Sequence, residues 1–212
     1  VNELFVSAFV TLFVVIDPPG CAPIFASLTG GATPAQRSAM AWRAVLTAAA
    51  ILLFFALLGE QLLRALGISL DAFRIAGGVL LFLIAADMVF EKRTQRREQR
   101  AASVAEQAQA RQVEVADVSV FPMAIPMIAG PGSIASIMLL MARADTPQET
   151  GAVLGAAALV LVLTLLALLA AGPLMRLLGE KVEAMVTRLL GVILCALAAQ
   201  IVVDGVKGAF AI

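Results

Sequence analysis

The stretch Ile16-Asp17-Pro18-Pro19-Gly20-Cys21-Ala22-Pro23-Ile24-Phe25 interrupts an otherwise apolar run that begins at Leu4, and its reading decides the fold. Adjacent prolines remove backbone donors and free carbonyls. A bilayer offers no water in exchange, so such a break persists only where protein or a wet cavity receives it. The chain therefore reads as a polytopic membrane protein whose function sits at the break.

Composition supports that setting. Of 212 residues, 61% are hydrophobic and 14% charged, and mean hydropathy is +0.99. A soluble domain is nearer half apolar, so the expected partner of this surface is the lipid bilayer. Net charge is zero and most bases lie in one connector, which leaves no basic face for nucleic acid. Cys21 and Cys195 both fall in apolar stretches and suggest neither a disulfide framework nor a zinc site. There is no histidine, so the commonest general base and transition-metal ligand are both missing. No metal and no cofactor are expected. Glu3, with no Lys or Arg ahead of the first apolar run, is the wrong front end for a signal peptide, and the run reads as a mature membrane segment.

Outward from the break, six apolar segments approach the roughly 20 residues needed to cross a core of about 30 Å. They cover residues 4–28, 37–58, 71–90, 118–141, 151–171 and 183–206. Trp42 stands where an interfacial anchor belongs, and Gly77-Gly78 marks a close helix contact. Residues 59–70 read as a short connector. Residues 91–117 carry Lys92, Arg93, Arg96, Arg97, Arg100 and Arg111 among acids and glutamines, and read as a water-soluble link between two halves. The fourth segment is broken like the first, at Pro126 and at Gly130-Pro131-Gly132.

An internal repeat relates the halves. Pro19-Gly20 recurs as Pro131-Gly132, Thr33-Pro34 as Thr146-Pro147, Leu66-Gly67 as Leu178-Gly179 and Arg74-x-x-Gly77 as Arg188-x-x-Gly191, at offsets of 112 to 114. Residues 1–90 and 118–212 are expected to be two copies of one three-helix unit. Three crossings per unit make the second copy enter from the opposite side. The fold class is thus all-α, with six membrane segments as two inverted repeats and segments 1 and 4 broken. The side of the connector gathers 11 of the 15 bases and should be cytoplasmic, which puts both termini outside. Re-entrant hairpins in segments 1 and 4 would instead move both termini to the connector side. Full spans are preferred because residues 4–28 reach about 37 Å as helix.

A helix restarting after Pro19-Gly20, and another after Pro131-Gly132, each direct amides and about half a positive charge at the break. Those ends suit an anion. The carbonyls before the first break, with Asp17 beside them, suit sodium, a proton or an ammonium group. Together they match a zwitterion. Candidate binding residues are Asp17, Pro18, Gly20, Cys21, Pro23, Gly130, Pro131, Gly132 and Ser133, the glycines admitting a ligand to the backbone and Ser133 supplying a hydroxyl. Against this stands the plainer reading that the breaks are packing kinks and Asp17 closes one of them by a structural hydrogen bond. Asp87 and Asp204 default to solvated positions, Arg74 and Arg188 to segment-start anchors, and Gln200 to an interhelical hydrogen bond.

At these residues the chain resembles the MarC family of bacterial inner-membrane proteins. The resemblance rests on Asp17-Pro18-Pro19-Gly20-x-x-Pro23-x-Phe25 with Leu28-Thr29, and on Pro122-x-Ala124-x-Pro126-x-x-Ala129-Gly130-Pro131-Gly132. It implies six membrane segments in two inverted halves, location in the bacterial inner membrane, and transport of small neutral amino acids in some members. It departs at Cys21, where the family commonly has asparagine; cysteine is small and weakly polar. The expected function is secondary transport of small neutral amino acids or similar metabolites, with sodium or a proton as the candidate coupling ion. Alternatives are a non-transporting scaffold for another membrane complex and an intramembrane aspartyl hydrolase using Asp17 and Asp87. The hydrolase would need two carboxylates sharing a proton, and these lie on different segments.

Overall fold

The computed structural model describes residues 1–90, 99 and 117–210, and for residues 173–184 the backbone alone. The connector expected at 91–117 lies outside the described residues except for Gln99 and Asp117. The helices are α1 (Asn2–Ile16), α2 (Pro18–Leu28), α3 (Pro34–Ala65), α4 (Leu70–Val89), α5 (Pro131–Met141), α6 (Pro147–Leu169) and α7 (Ala171–Phe210). Segment Ser119–Ile128, ahead of α5, is irregular, with wide turns closed by Met123 on Val118 and Ala129 on Ala124. Among the described residues there is no strand. Five stretches are long and apolar enough to cross a membrane, and a sixth arises if Ser119–Ile128 and α5, bent by 52°, form one span.

Local chemistry explains the starts of the long helices. α3 and α6 both open on a Thr-Pro pair, with proline at a position that needs no donor. The Thr33 hydroxyl accepts from the Gln36 amide at 3.3 Å while the Gln36 side chain accepts from the Thr33 amide at 2.9 Å. Thr146 and Glu149 repeat the exchange at 3.3 and 3.1 Å. Each reciprocal cap satisfies two amides that a helix start leaves open, and is worth roughly 1 kcal/mol.

Two expected boundaries are corrected. α3 does not stop near Leu58 but continues to Ala65, because Gly59 packs against Met138 and Arg64 bonds Glu60 one turn away at 2.6 Å. The turn to α4 is made by Gly67, at φ 69°. The gap expected between 171 and 183 is absent: α6 and α7 meet at Ala170, and α7 runs on as one helix of 40 residues. Segment four is broken at Pro126 and before Pro131 as expected, and once more ahead of Pro122, since Phe121 and Ile125 leave helical φ/ψ. The residue before a proline is pushed to extended backbone by the proline ring. Pro122 and Pro126 both follow cis peptide bonds.

Packing is close where glycines face neighbours. α4 runs antiparallel to the second half of α7: Gly78 lies against Val202 and Ala198, Gly191 against Met88 and Val89, Gly205 against Ile75 and Arg74. Elsewhere the halves exchange partners. α1 and α2 pack on α6, whereas Ser119–Ile128 and α5 pack on α3. The core joins Leu12, Ile16, Phe25, Met123, Ile128 and Leu168. Leu46, Leu53 and Leu57 of α3 and Val162 and Leu166 of α6 point outward, an arrangement suited to lipid and not to water.

Candidate functional site

Asp17 is a single-residue joint between α1 and α2. It adopts φ 59° and ψ 67°, a left-handed conformation that aspartate tolerates better than most side chains. Its amide donates to the Phe13 carbonyl at 2.9 Å, ending α1, and its Oδ1 accepts from the Gly20 amide at 3.1 Å, starting α2. The residue is 2% exposed. Gly20 is required by that cap, since a Cβ there would collide with the Asp17 carboxyl. The structural hydrogen bond weighed from sequence is thus present. Cys21 is fully buried; its amide donates to the Asp17 carbonyl at 3.0 Å and its thiol to the Ile16 carbonyl at 3.5 Å.

This accounting bears on the anion site expected at the first break. Pro18 and Pro19 have no N–H, the Gly20 amide is taken by Asp17 Oδ1, and the Cys21 amide is taken by the Asp17 carbonyl. As folded, the start of α2 offers no donor in its first turn. Pro23 is half-buried within α2.

The second break differs. α5 starts at Pro131 with Gly130 as its N-cap, and among the described residues no side chain caps it. The Gly132 and Ser133 amides therefore lie at the positive end of an 11-residue helix without a competing carboxyl. Both residues are buried, Ser133 at 2% exposure, while Pro131 is exposed. A Cβ on Gly132 would stand 2.5 Å from Ile84 Cδ1 and 3.3 Å from Val15 Cγ1, which places this helix start against α4 and the last turn of α1. Gly130 touches the Pro126 carbonyl in the same way. In this structure the space over the three glycines is taken by the chain's own atoms, so a ligand would need Ile84 to swing aside.

Other singled-out residues pair locally. Gln200 donates to Asp204 at 2.7 Å within α7, where an interhelical bond was expected, and Arg143 reaches the same carboxyl at 3.2 Å, so Asp204 is bridged instead of freely solvated. Arg74 holds Asp71 at 2.8 Å. Arg43 holds Asp117 at 2.8 Å at the far end of the molecule. Sequence reasoning missed a pocket lined by Ser7, Thr11, Ser136, Arg143 and Gln200. The available signal was the spacing of small hydroxyl residues on apolar helices, Ser7 with Thr11 and Ser133 with Ser136. Among the described residues no cluster of side chains is suited to a metal ion.

An all-helical, multi-pass membrane protein with two interrupted helices at corresponding places is the class these features define. Residues 2–210 match the model of the MarC family integral membrane proteins, and the chain belongs to that family. It is 39% identical over 207 residues to a UPF0056 membrane protein of Methanocaldococcus jannaschii, covering 98% of both chains. It is 36% identical to the UPF0056 membrane protein YvbG of Bacillus subtilis, covering 97% and 95% of the two. The inner membrane protein YhgN of Escherichia coli is 34% identical over 97% of each chain. No solved structure matches.

Proposed function

We propose that this protein is a secondary transporter, not an enzyme, which carries small neutral amino acids or similar small metabolites across a bacterial inner membrane. The observation that carries the reading is the pairing of an uncapped, positive helix start at Gly132-Ser133 with a buried carboxyl at the joint of α1, the two elements meeting through Val15 and Gly132. The substrate carboxylate is received by the Gly132 and Ser133 amides and the Ser133 hydroxyl. Asp17 and the end of α1 receive the ammonium group or a coupling cation, sodium or a proton. Relative to the two anion ends expected from sequence, the carboxylate falls to the second break, because Asp17 already occupies the amides of the first.

Inverted repeats supply the motion in this reading. Supporting them are the matched Thr-Pro caps of α3 and α6, the antiparallel α4 and α7, and the exchange by which each interrupted element packs on the long helix of the other half. Rocking of one half on the other would carry Ile84 off Gly132 and open the binding residues to alternate sides. The connector side is cytoplasmic and the termini external. The test is uptake of labelled glycine, alanine and serine by liposomes holding the purified protein, under sodium or proton gradients. Saturable, gradient-driven uptake supports the reading.

A further inference from the structure

α1, α5 and α7 enclose a pocket of about 40 Å³ that opens at the end of the molecule where Arg143 pairs with Asp204. At roughly 10–15 Å³ per water it holds about three waters. Leu139, Leu140, Leu197 and Ile201 supply the apolar part of its wall, and among them stand hydroxyls that packing does not explain. Ser136 is 1% exposed, and its hydroxyl has no hydrogen-bond partner among the described residues. Thr11, 4% exposed, faces the same space, with Ser7 one turn nearer the mouth. A buried hydroxyl left without a partner is unfavourable unless something in the cavity satisfies it. Ser136 lies one turn along α5 from Gly132.

The mouth carries one charge of each sign. Arg143 reaches Asp204 Oδ2 at 3.2 Å, and Gln200 donates to Oδ1 at 2.7 Å, so the carboxyl fixes both donors at the rim. The guanidinium has further N–H groups to offer. The first half of the repeat does not reproduce these polar positions. By the repeat offsets of 112 and 114, Ser136 corresponds to Ile24, Gln200 to Ala86 and Asp204 to Phe90, all apolar.

We propose that this pocket is an aqueous vestibule through which a small zwitterion approaches the second break, its carboxylate read by Arg143 and its ammonium by Asp204 at the rim, with Thr11 and Ser136 solvating it on the way in. The ligand class rests on the transport reading above; the vestibule itself does not. The experiment uses Ser136→Cys in the full chain on a Cys195→Ala background, Cys21 being sealed in the core, reconstituted in nanodiscs so that both faces meet the reagent, with a charged methanethiosulfonate as probe. Lys207→Cys serves as the open reference and Leu194→Cys, in the sealed core, as the closed one. Thr11→Cys is a second reporter should Ser136→Cys fail to fold. The expected result is labelling at least about tenfold faster than Leu194→Cys, which must await local opening. Millimolar alanine should slow it, and Arg143→Gln should abolish that protection while leaving the labelling rate in place. Labelling of both reporters as slow as Leu194→Cys would overturn the vestibule even if uptake were found. Fast labelling with no protection by alanine or glycine would overturn the zwitterion as ligand, and uptake measured separately would show whether the transport reading falls with it.

Discussion

Asp17 has a structural role that can be separated from a functional one, because asparagine reproduces the first and lacks the charge needed for the second. Asp17→Ala removes the oxygen that accepts from the Gly20 amide, a loss of about 1 kcal/mol at a helix N-cap. It also places alanine at φ 59°, which costs roughly another 1 kcal/mol. The sum, about 2 kcal/mol, should lower the midpoint of thermal unfolding in detergent by roughly 4–8 °C for a chain of this length. Asp17→Asn keeps an oxygen in the same place, caps a helix as well as aspartate does and tolerates the left-handed conformation, so its midpoint should stay within about 0.5 kcal/mol of the parent. Uptake should nevertheless fall in Asp17→Asn, because an amide cannot balance an ammonium group or coupling cation. The capping account is refuted if asparagine destabilises as much as alanine, or if alanine has no effect. Full uptake by a stable Asp17→Asn would remove Asp17 from the binding site.

Two further outcomes follow from packing and charge. Gly78→Ala would put a Cβ 2.6 Å from Val202 Cγ2 and 3.0 Å from the Ala198 carbonyl, and overpacking of the α4/α7 contact should cost about 1–3 kcal/mol in the same melt; an unchanged midpoint would contradict that contact. A compartment-sensitive reporter fused after Ile212 should report the external side, and a cytoplasmic signal would overturn the full-span orientation.

The interrupted helices were legible because their causes are local. Pro18, Pro19 and Gly20 cannot continue α1, and each Thr-Pro pair carries its own helix start. The same locality misled at residues 59–70. Gly59, Glu60 and Gln61 look like a connector, yet Gly59 is there to admit Met138, 79 positions away, and the helix runs through. At the first break the sequence offered Asp17 both as a ligand group and as a structural hydrogen bond; only its left-handed backbone, which turns the carboxyl onto Gly20, decides that it caps α2. Asp204 read as solvated because its partner Arg143 lies 61 positions away, in the turn after α5. Nor does any sequence pattern reveal that the Ser136 hydroxyl lacks a partner among the described residues, since that depends on which side chains α1 and α7 bring to it.

The transport claim is met most directly by flux. Purified, folded protein in liposomes should take up labelled glycine, alanine or serine with saturation, driven by a sodium or proton gradient. Absence of saturable uptake of all three under every gradient, from protein with an intact unfolding transition, would contradict the account.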